Sequence, residues 1–363
     1  MVRIWLALGL FVMGAAIAPI SANAAATDGF FYQTRPVTDR VTLIYRPDPV
    51  RIPAEGNVTV IEQADGLVVI DAGGSRPGGK RIVALIHLLN RKPVRFLVYT
   101  HYHGDHNLGA GAFLKAWPNV TIISTGQTRA NMTGVPMDYI KTYDKAYEGY
   151  RPVIESRLAD PKISASEKSR WQQLGEDLPG IVAAYHASVA YPARLTFSER
   201  LTLNDDIAPV DLMFLGRANT DGDAVAWLPK QRVLVSGDIV VAPIPYASAS
   251  FPREWIDVLG KLKGFAFVDL IPGHGPVQTD AAYLDKLISA LSDIRAQVAP
   301  LVAKGASLDE VREAVRTDEM IDAFAGDDGW NRLWMRSVFM SALISNAYKE
   351  ARNEPILQGR DGG

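Results

Sequence analysis

Short runs of apolar, mostly β-branched residues alternate with turn residues over the first third of the chain. Runs of this kind, bounded by glycine, proline or aspartate, predict strands at 41–45, 58–61 and 67–70. Apolar positions at helical spacing then predict a helix over 79–89, with His87 on its surface or in a hydrogen bond. The same patterns predict a buried strand at 93–99, a short helix at 109–117 and a short strand at 120–124.

The pattern changes from about residue 127 to residue 191, where charges, alanines and aromatic residues recur at helical spacing. This segment predicts a helical insertion that covers the neighbouring loops. Four tyrosines repeat every three or four residues in it, and they form either an ordinary packed helix face or an aromatic wall beside a substrate. These residues are Tyr139, Tyr143, Tyr147 and Tyr150.

Strand patterns return after the insertion and are followed by long helical patterns. Strands are predicted at 193–203, 209–215, 224–228, 232–236 and 265–270. Helices are predicted at 253–262, 280–302 and 328–353. The last of these carries apolar residues that we expect to dock on the body of the protein, namely Trp330, Trp334, Phe339 and Leu343. Strands and helices in this order predict two packed sheets with helices outside.

The first 24 residues form a separate apolar segment. Arg3 precedes an apolar run over 4–20, and Ala22-Asn23-Ala24 has the small-x-small form of a cleavage site. The other interpretation, a membrane anchor, needs a longer run. We expect a signal peptide at 1–24, a periplasmic or secreted protein, and no stable membrane insertion after cleavage. The expected domains are 25–278, with its insertion at about 127–191, and a C-terminal helical extension at 279–363 packed on the same domain.

The composition narrows the class of partner. The chain has 38 lysines and arginines against 40 aspartates and glutamates, and it lacks a basic stripe. This balance argues against nucleic acid and anionic membranes as partners and leaves a small-molecule substrate. No cysteine is present, so the chain forms no disulfide and carries no lipid on cysteine. The oligomeric state stays open.

The densest cluster of reactive side chains is Thr100-His101-Tyr102-His103-Gly104-Asp105-His106. It contains three of the six histidines of the chain and one carboxylate, directly after the strand predicted at 93–99. Imidazole nitrogens and carboxylate oxygens are the usual ligands of a hydrolytic metal such as zinc. A strand end gives such ligands a stiff support. The cluster therefore predicts a metal centre.

The pattern His-x-His-x-Asp-His after a buried strand resembles the metallo-β-lactamase fold superfamily. Four further segments extend the resemblance in the order found in that family. They are Asp71-Ala72-Gly73-Gly74, residues 216–223, Ser236-Gly237-Asp238 and residues 271–276. The resemblance covers roughly residues 41–278 and is interrupted by the helical insertion. It implies an α/β fold, an αββα sandwich with the metals at one edge between the sheets, here with a helical insertion and C-terminal helices.

The resemblance also implies a set of metal ligands. One metal site would use His101, His103 and the residue at 219, and a second would use Asp105, His106 and His274, with Asp238 between both metals. Asp71 would orient a ligand histidine through its free ring nitrogen. The expected cofactor is Zn²⁺, as one or two ions, although the same ligands also suit iron or manganese.

Position 219 departs from the family pattern, because Asn219 stands where the pattern has histidine. Gly216, Thr220, Gly222 and Asp223 keep the register of the segment. An amide oxygen is a weaker zinc ligand than an imidazole nitrogen. We therefore expect weaker metal binding at the site of His101 and His103. His186 is a candidate replacement ligand, although its neighbours predict an ordinary helix.

These residues lead to three functional hypotheses. The first is a metal-dependent hydrolase in which activated water attacks the carbonyl of an ester, thioester, lactone or amide. Asp105 would also accept or pass a proton in this reaction. Tyr102 and Tyr246 are candidates for the substrate cleft, and Tyr246 could donate to a developing oxyanion. The second hypothesis is a binding protein with one metal, and the third is a phosphodiester or sulfate ester hydrolase.

Overall fold

The computed structural model describes residues 29–186 and 188–359. The signal peptide predicted at 1–24 lies outside the described residues. Two β-sheets pack face to face, and helices cover the outer face of each sheet. The αββα sandwich with added helices, which the sequence predicts, is confirmed.

The first sheet has seven strands that follow one another in chain order. The strands are antiparallel up to the fourth and parallel from the fourth to the seventh. They are β1 Gln33–Pro36, β2 Val41–Tyr45, β3 Val58–Glu62, β4 Leu67–Ile70, β5 Val94–Val98, β6 Thr121–Thr125 and β7 Leu195–Phe197.

The second sheet has five strands, also in chain order, and only its last two are parallel. They are β8 Arg200–Leu203, β9 Val210–Phe214, β10 Ala224–Leu228, β11 Val233–Val241 and β12 Asp269–His274.

Alternate residues of a single strand pack into two different layers of the sandwich. In β4, Val68 and Ile70 belong to the core between the sheets, whereas Leu67 and Val69 belong to the core beneath the outer helices. Successive side chains of a strand point to opposite faces, so a strand covered on both faces is apolar throughout. This explains why the uninterrupted apolar run at 67–70 forms a strand.

Helices fall into three groups along the chain. The first sheet carries α1 Arg76–Leu89, α2 Gly104–Asn107 and α3 Ala110–Ala116. The insertion contains α4 Gly126–Thr133, a 3₁₀ helix at Val135–Thr142, α5 Tyr143–Glu148, α6 Tyr150–Ala159 and α7 Ala165–Tyr185. The remainder comprises α8 Pro252–Lys263, α9 Ala282–Ala303, α10 Leu308–Ala314, α11 Asp318–Ala325, α12 Gly329–Trp334, a π-helical segment Met335–Met340 and α13 Ser341–Ala351.

Membrane crossing has no support in these helices. Throughout the two described ranges, every helix is either too short or too polar to span a bilayer.

Several predicted boundaries were wrong. The single strand predicted at 193–203 is two strands, β7 and β8, which belong to different sheets and flank Ser198 and Glu199. The strand predicted at 265–270 lies later, as β12. Helix α1 begins at Arg76 rather than 79, because Ser75 caps it by accepting from the Gly78 N–H at 3.0 Å.

Candidate metal centre

Ligand-bearing segments from both sheets meet at one edge of the sandwich. Asp71 follows β4 directly, and the His-x-His-x-Asp-His segment follows the parallel neighbour β5. Asp238 lies in β11, and His274 ends the parallel neighbour β12. Carboxyl ends of parallel strands share one edge of a sheet, which is where α/β folds place their sites. The topology therefore brings side chains together across more than 200 residues of chain.

The first ligand group consists of His101, His103 and Asp238, whose ligand atoms lie within 4.8 Å of one another. The His101 Nε2 and His103 Nδ1 atoms are 2.9 Å apart. Asp238 Oδ2 lies 3.6 Å from His101 Nε2.

The second ligand group consists of Asp105, His106, Asp238 and His274, within the same distance limit of 4.8 Å. The two Nε2 atoms of His106 and His274 are 3.2 Å apart. Asp105 Oδ2 lies 3.0 Å from His274 Nε2, and Asp238 Oδ1 lies 3.1 Å from His106 Nε2. Asp238 thus turns one oxygen to each group, the arrangement of a shared ligand.

The donor set fits a divalent metal. Ring nitrogens and carboxylate oxygens converge at buried positions, and they are the ligands that zinc, iron and manganese take in proteins. Asp238 Oδ1 is buried, and its nearest polar neighbours are the Nε2 atoms of His106 and His274, at 3.1 and 3.6 Å. A metal ion between an oxygen and two nitrogens that converge in this way would bind all three atoms.

Asp71 fixes the orientation of two ligand rings. Its Oδ2 lies 2.8 Å from His106 Nδ1 and accepts from Thr100 Oγ1, also at 2.8 Å. Thr100 Oγ1 is in turn 3.0 Å from His101 Nδ1. Protons on the two Nδ1 atoms leave both Nε2 atoms with a lone pair, which a metal requires. Asp71 therefore contacts His106 directly and His101 through Thr100.

Burial and charge shift the ionisation of the ligands. Burial lowers the pKa of both imidazoles of the first ligand group, that of His101 most strongly. Burial acts in the same direction on His106 and His274, but Asp238 and Asp105 outweigh it and raise the pKa of both rings. Burial would raise the pKa of the two carboxyl groups, yet the charges of His106 and His274 hold it well below the usual range. The carboxylates are therefore ionised at neutral pH.

Asn219 is buried, and its two amide atoms differ in their surroundings. Its Nδ2 donates to the Tyr246 carbonyl oxygen at 2.5 Å, while its Oδ1 is buried with no hydrogen-bond partner in the described residues. The oxygen is therefore the atom available to a metal. A ligand role for Asn219 stays a prediction.

Two features support the loop that carries the last histidine. Asn57 donates from Nδ2 to the carbonyl oxygens of Pro272 and Gly275, at 2.9 and 3.0 Å. A Cβ atom at Gly273 would lie 1.9 Å from Asp238 Oδ1, so only glycine fits beside the shared carboxylate. The loop is thereby tied to the first sheet on one side and packed on Asp238 on the other.

A cleft of about 480 Å³ opens onto members of both ligand groups. Its walls come from the segment before β3, the insertion, the segment after β11 and the C-terminal helices. Gly359, the last described residue, also lines it and donates its N–H to the Tyr102 hydroxyl. Most wall residues are aromatic or aliphatic, and they include Tyr139, Tyr143, Tyr147, Tyr150, Ile244 and Trp334.

The remaining predicted residues occupy different places. Tyr102 and Tyr246 both line the cleft and meet the His103 ring edge to face, with centroids 4.7 and 5.7 Å away. The Tyr246 hydroxyl is hydrogen-bonded to Ser248. His186 pairs with Asp144 at 2.9 Å and is largely exposed. His186 therefore does not replace the missing imidazole.

Glu55 is a supporting residue that the sequence did not reveal. It accepts from the Tyr32 hydroxyl at 2.5 Å and from the Gly74 N–H at 2.8 Å, in the turn that follows Asp71. Burial raises its pKa to about 7. Glu55 follows Pro49 and Pro53 and precedes β3, and no motif around it indicates a role at the site. Thr100, by contrast, adjoins the first ligand histidine and could have been proposed as its partner.

The model of the metallo-beta-lactamase superfamily matches residues 51–303, more than half of the chain. The chain belongs to the metallo-beta-lactamase superfamily. This is a superfamily of metallo-hydrolases, and the chain carries a plausible metal site.

Three relatives whose names state an activity are 17% to 25% identical to this chain. A linear primary-alkylsulfatase from Pseudomonas sp. is 25% identical over 269 residues, covering 71% of this chain and 49% of its own length. A sec-alkylsulfatase structure from Pseudomonas sp. has a TM-score of 0.59 at 17% identity, covering 91% of this chain and 51% of its own. A metallo-beta-lactamase structure from Pontibacter korlensis has a TM-score of 0.51 at 17% identity, covering 72% and 99% respectively. These structures share the fold, and the chain spans about half the length of the alkylsulfatases.

Proposed function

We propose that this superfamily member hydrolyses an ester of a hydrophobic alcohol with metal-activated water. The observation that carries the proposal is the pair of ligand groups sharing Asp238 at the floor of an aromatic cleft. A divalent metal, proposed here as zinc, would lower the pKa of a water molecule and polarise the bond under attack. The alternative, a catalytically weakened or inactive family member that binds one metal, is less favoured. Six of the seven candidate ligand positions carry the residue of the family pattern, and the seventh, Asn219, offers an amide oxygen.

The chain's own residues supply positioning and proton transfer. His101, His103, His106 and His274 would hold the metals together with the shared carboxylate, and the buried Asn219 oxygen would complete the first group. Asp105 lines the cleft with its side chain 17% exposed. It would accept the proton that the attacking water releases and pass it on.

The cleft supports a substrate with an apolar body. Tyrosine, tryptophan and aliphatic side chains form its walls, and burying hydrocarbon against them contributes roughly 25 cal/mol per Å². Of the described residues that line the cleft, Arg51 is the only lysine or arginine, and its Nε donates to Asp177 at 3.0 Å. The walls therefore offer no free cation for a second anionic group, which disfavours phosphodiesters with long anionic chains.

The acid half of the ester is either a carboxylic acid or a sulfate. The carboxylic ester, thioester or lactone follows from the ligand set alone. The sulfate ester has one specific observation in its favour, namely the similarity to a linear primary-alkylsulfatase over 71% of this chain. Both fit a small head group at the metals and a hydrocarbon body in the cleft.

Metal analysis and a matched substrate panel test the proposal. The full chain is purified without chelators, its metal is counted by mass spectrometry, and hydrolysis is measured with zinc, iron or manganese added. We expect kcat/KM to be higher for octyl acetate than for methyl acetate, or for octyl sulfate than for methyl sulfate. Absence of hydrolysis in every arm with metal bound would contradict the proposal.

Asp238→Ala is the matched variant for this experiment. Since Asp238 is shared by both ligand groups, its loss should remove most bound metal and abolish hydrolysis. Asp285→Ala, which removes an exposed carboxylate on α9, serves as the control for the substitution itself. Equal metal content in the two variants would show that the groups identified here do not hold the metal.

A further inference from the structure

The hydroxyl of Tyr139 reaches from the insertion to the metal-binding loop. It accepts a hydrogen bond from the Gly104 N–H at 2.7 Å. Gly104 lies between His103 of the first ligand group and Asp105 of the second. The phenol oxygen is therefore held beside the backbone that joins the two groups, and Tyr139 lines the cleft there.

Glycine at position 104 makes this approach possible. A Cβ atom at Gly104 would lie 2.9 Å from the Tyr139 hydroxyl oxygen and 2.9 Å from Leu108 Cδ1. Contacts this short force one of the neighbours to move. Any larger residue at 104 would push the phenol away from the loop.

The ring of Tyr139 is held firmly by other aromatic residues. It meets Tyr143 edge to face with ring centroids 5.3 Å apart, and Tyr143 packs on Tyr185 at 4.4 Å. Tyr185 is buried on the long insertion helix α7. The hydroxyl position is thus defined by the fold of the insertion, as a donor in an active site requires.

The hydroxyl has a proton to give. Its oxygen already accepts from Gly104, and no described residue accepts a hydrogen bond from it. By comparison, the Tyr143 hydroxyl gives its proton to the hydroxyl of Tyr147. Burial, with the charge of Asp105, raises the pKa of Tyr139 well above its usual range, so the phenol stays protonated.

We propose that Tyr139 is a catalytic residue whose hydroxyl donates a hydrogen bond to the bridging oxygen of the ester. The inference rests on the proposed function. Water adds to the central atom of the acid, and the bond from that atom to the bridging oxygen breaks. The oxygen leaves with the bonding pair and takes one proton from the water. Tyr139 stabilises the negative charge that develops on this oxygen while the bond breaks, and the phenol keeps its own proton.

This role predicts a dependence on the leaving group that packing alone does not produce. More charge develops on a poor leaving oxygen, such as phenol, than on a good one, such as para-nitrophenol. Loss of a hydrogen bond to a charged oxygen costs about tenfold to a hundredfold in rate. The loss should therefore be large for phenyl esters and small for para-nitrophenyl esters of the same acid.

Tyr139→Phe tests the inference, with Tyr150→Phe as the control from the same wall. The two esters are compared by kcat/KM in the wild-type protein and in both variants, using whichever acid the wild type cleaves. Metal content and circular dichroism are measured in parallel. We expect Tyr139→Phe to lower the phenyl rate about tenfold or more relative to the para-nitrophenyl rate at unchanged metal content. Tyr150→Phe should change both rates by one common factor.

The outcomes separate the two proposals. A wild type that cleaves both esters, with Tyr139→Phe losing both equally or neither, overturns the role of Tyr139 and leaves the proposed function standing. A wild type that binds metal and cleaves no ester overturns both. A selective loss that comes with lost metal also overturns the role, because the tyrosine would then act through the ligands.

Discussion

Asn219 differs chemically from the first ligand group, which it is predicted to complete. That group consists of two imidazoles with lowered pKa values and a shared carboxylate, all strong metal ligands. An amide oxygen carries no charge and binds zinc weakly. The family pattern over residues 216–223 has histidine at this position, so the sequence alone reveals the asparagine as a departure. The hydrogen bond to the Tyr246 carbonyl, which leaves Oδ1 as the free atom, required the structure.

Asn219→His should strengthen metal binding at the first ligand group. The imidazole offers a nitrogen lone pair in place of the amide oxygen, so we expect metal content to rise from about one equivalent towards two. Mass spectrometry of protein purified at limiting zinc measures this. Asn219→Gln keeps an amide and should bring no increase. Equal metal content in Asn219→His and the wild-type protein would refute the idea of a weakened site.

Strand periodicity predicted most elements, and its errors have a physical cause. The run at 193–203 contains no glycine, proline, asparagine or aspartate, so no turn signal marks where the chain passes from one sheet to the other. Partner choice decides the break, because β7 pairs with β6 while β8 pairs with β9. Similarly, β12 is set by pairing with β11 and not by its own apolar run. Pairing across the molecule is information that a single stretch of sequence lacks.

A turn at the end of the sandwich away from the metal centre joins the two sheets. Asp205, between β8 and β9, accepts from the Ala64 N–H of the first sheet at 2.9 Å. It also accepts from Ile207 and Ala208 in its own turn, each at 2.8 Å. These N–H donors hold the pKa of Asp205 below its usual range despite partial burial. The carboxylate therefore stabilises the folded protein only while it is ionised.

Asp205→Asn should destabilise the protein in a pH-dependent way. The carboxylate contribution is fully present above the unfolded pKa of about 4, and it is lost as pH falls through the lower folded pKa. We expect a loss of about 1 kcal/mol in the free energy of unfolding at pH 7, which shrinks below about pH 4. Urea unfolding measures it, with the exposed Asp206→Asn as control. A loss that is the same at every pH would contradict this reading.

The cleft is a property of the whole molecule, because distant segments build it. Trp330 joins three of them. Its Nε1 donates to the Val50 carbonyl at 2.9 Å, and its ring meets Trp171 of the insertion edge to face at 5.2 Å. It also contacts Trp334, which lines the cleft. The position of the cleft walls therefore depends on this one buried ring.

Trp330→Ala should reduce both stability and substrate binding. Removing a fully buried tryptophan costs roughly 3–5 kcal/mol, and Trp330→Phe should cost much less because it retains most of the packing. Urea unfolding measures the first effect, and the KM for a hydrophobic ester measures the second. Trp227→Ala, a half-buried tryptophan of the second sheet, is the control and should leave KM unchanged. A loss below about 1 kcal/mol in Trp330→Ala would contradict the role given to Trp330.

Ligands and cleft differ in how far the sequence could predict them. The ligands lie in short segments at strand ends, where spacing alone indicates their chemistry. The donor role proposed for Tyr139 depends on contacts between the insertion and the loop at Gly104, which no local pattern encodes. The aromatic repeat was visible, but it allowed either an ordinary packed helix face or an aromatic wall. In the structure Tyr143 and Tyr147 pack on Tyr185, and all four tyrosines line the cleft.

The position of Gly359 has a practical consequence for purification. This residue lines the cleft, and a Cβ atom there would lie 2.4 Å from Pro136 Cα, so Gly359 is packed closely against the insertion. Because four residues span at most about 14 Å, a polyhistidine tag fused after residue 363 would have its imidazoles within reach of the cleft. They would compete with the chain's own histidines and add their own ions to any metal count. Metal stoichiometry should therefore be measured on protein carrying no such tag.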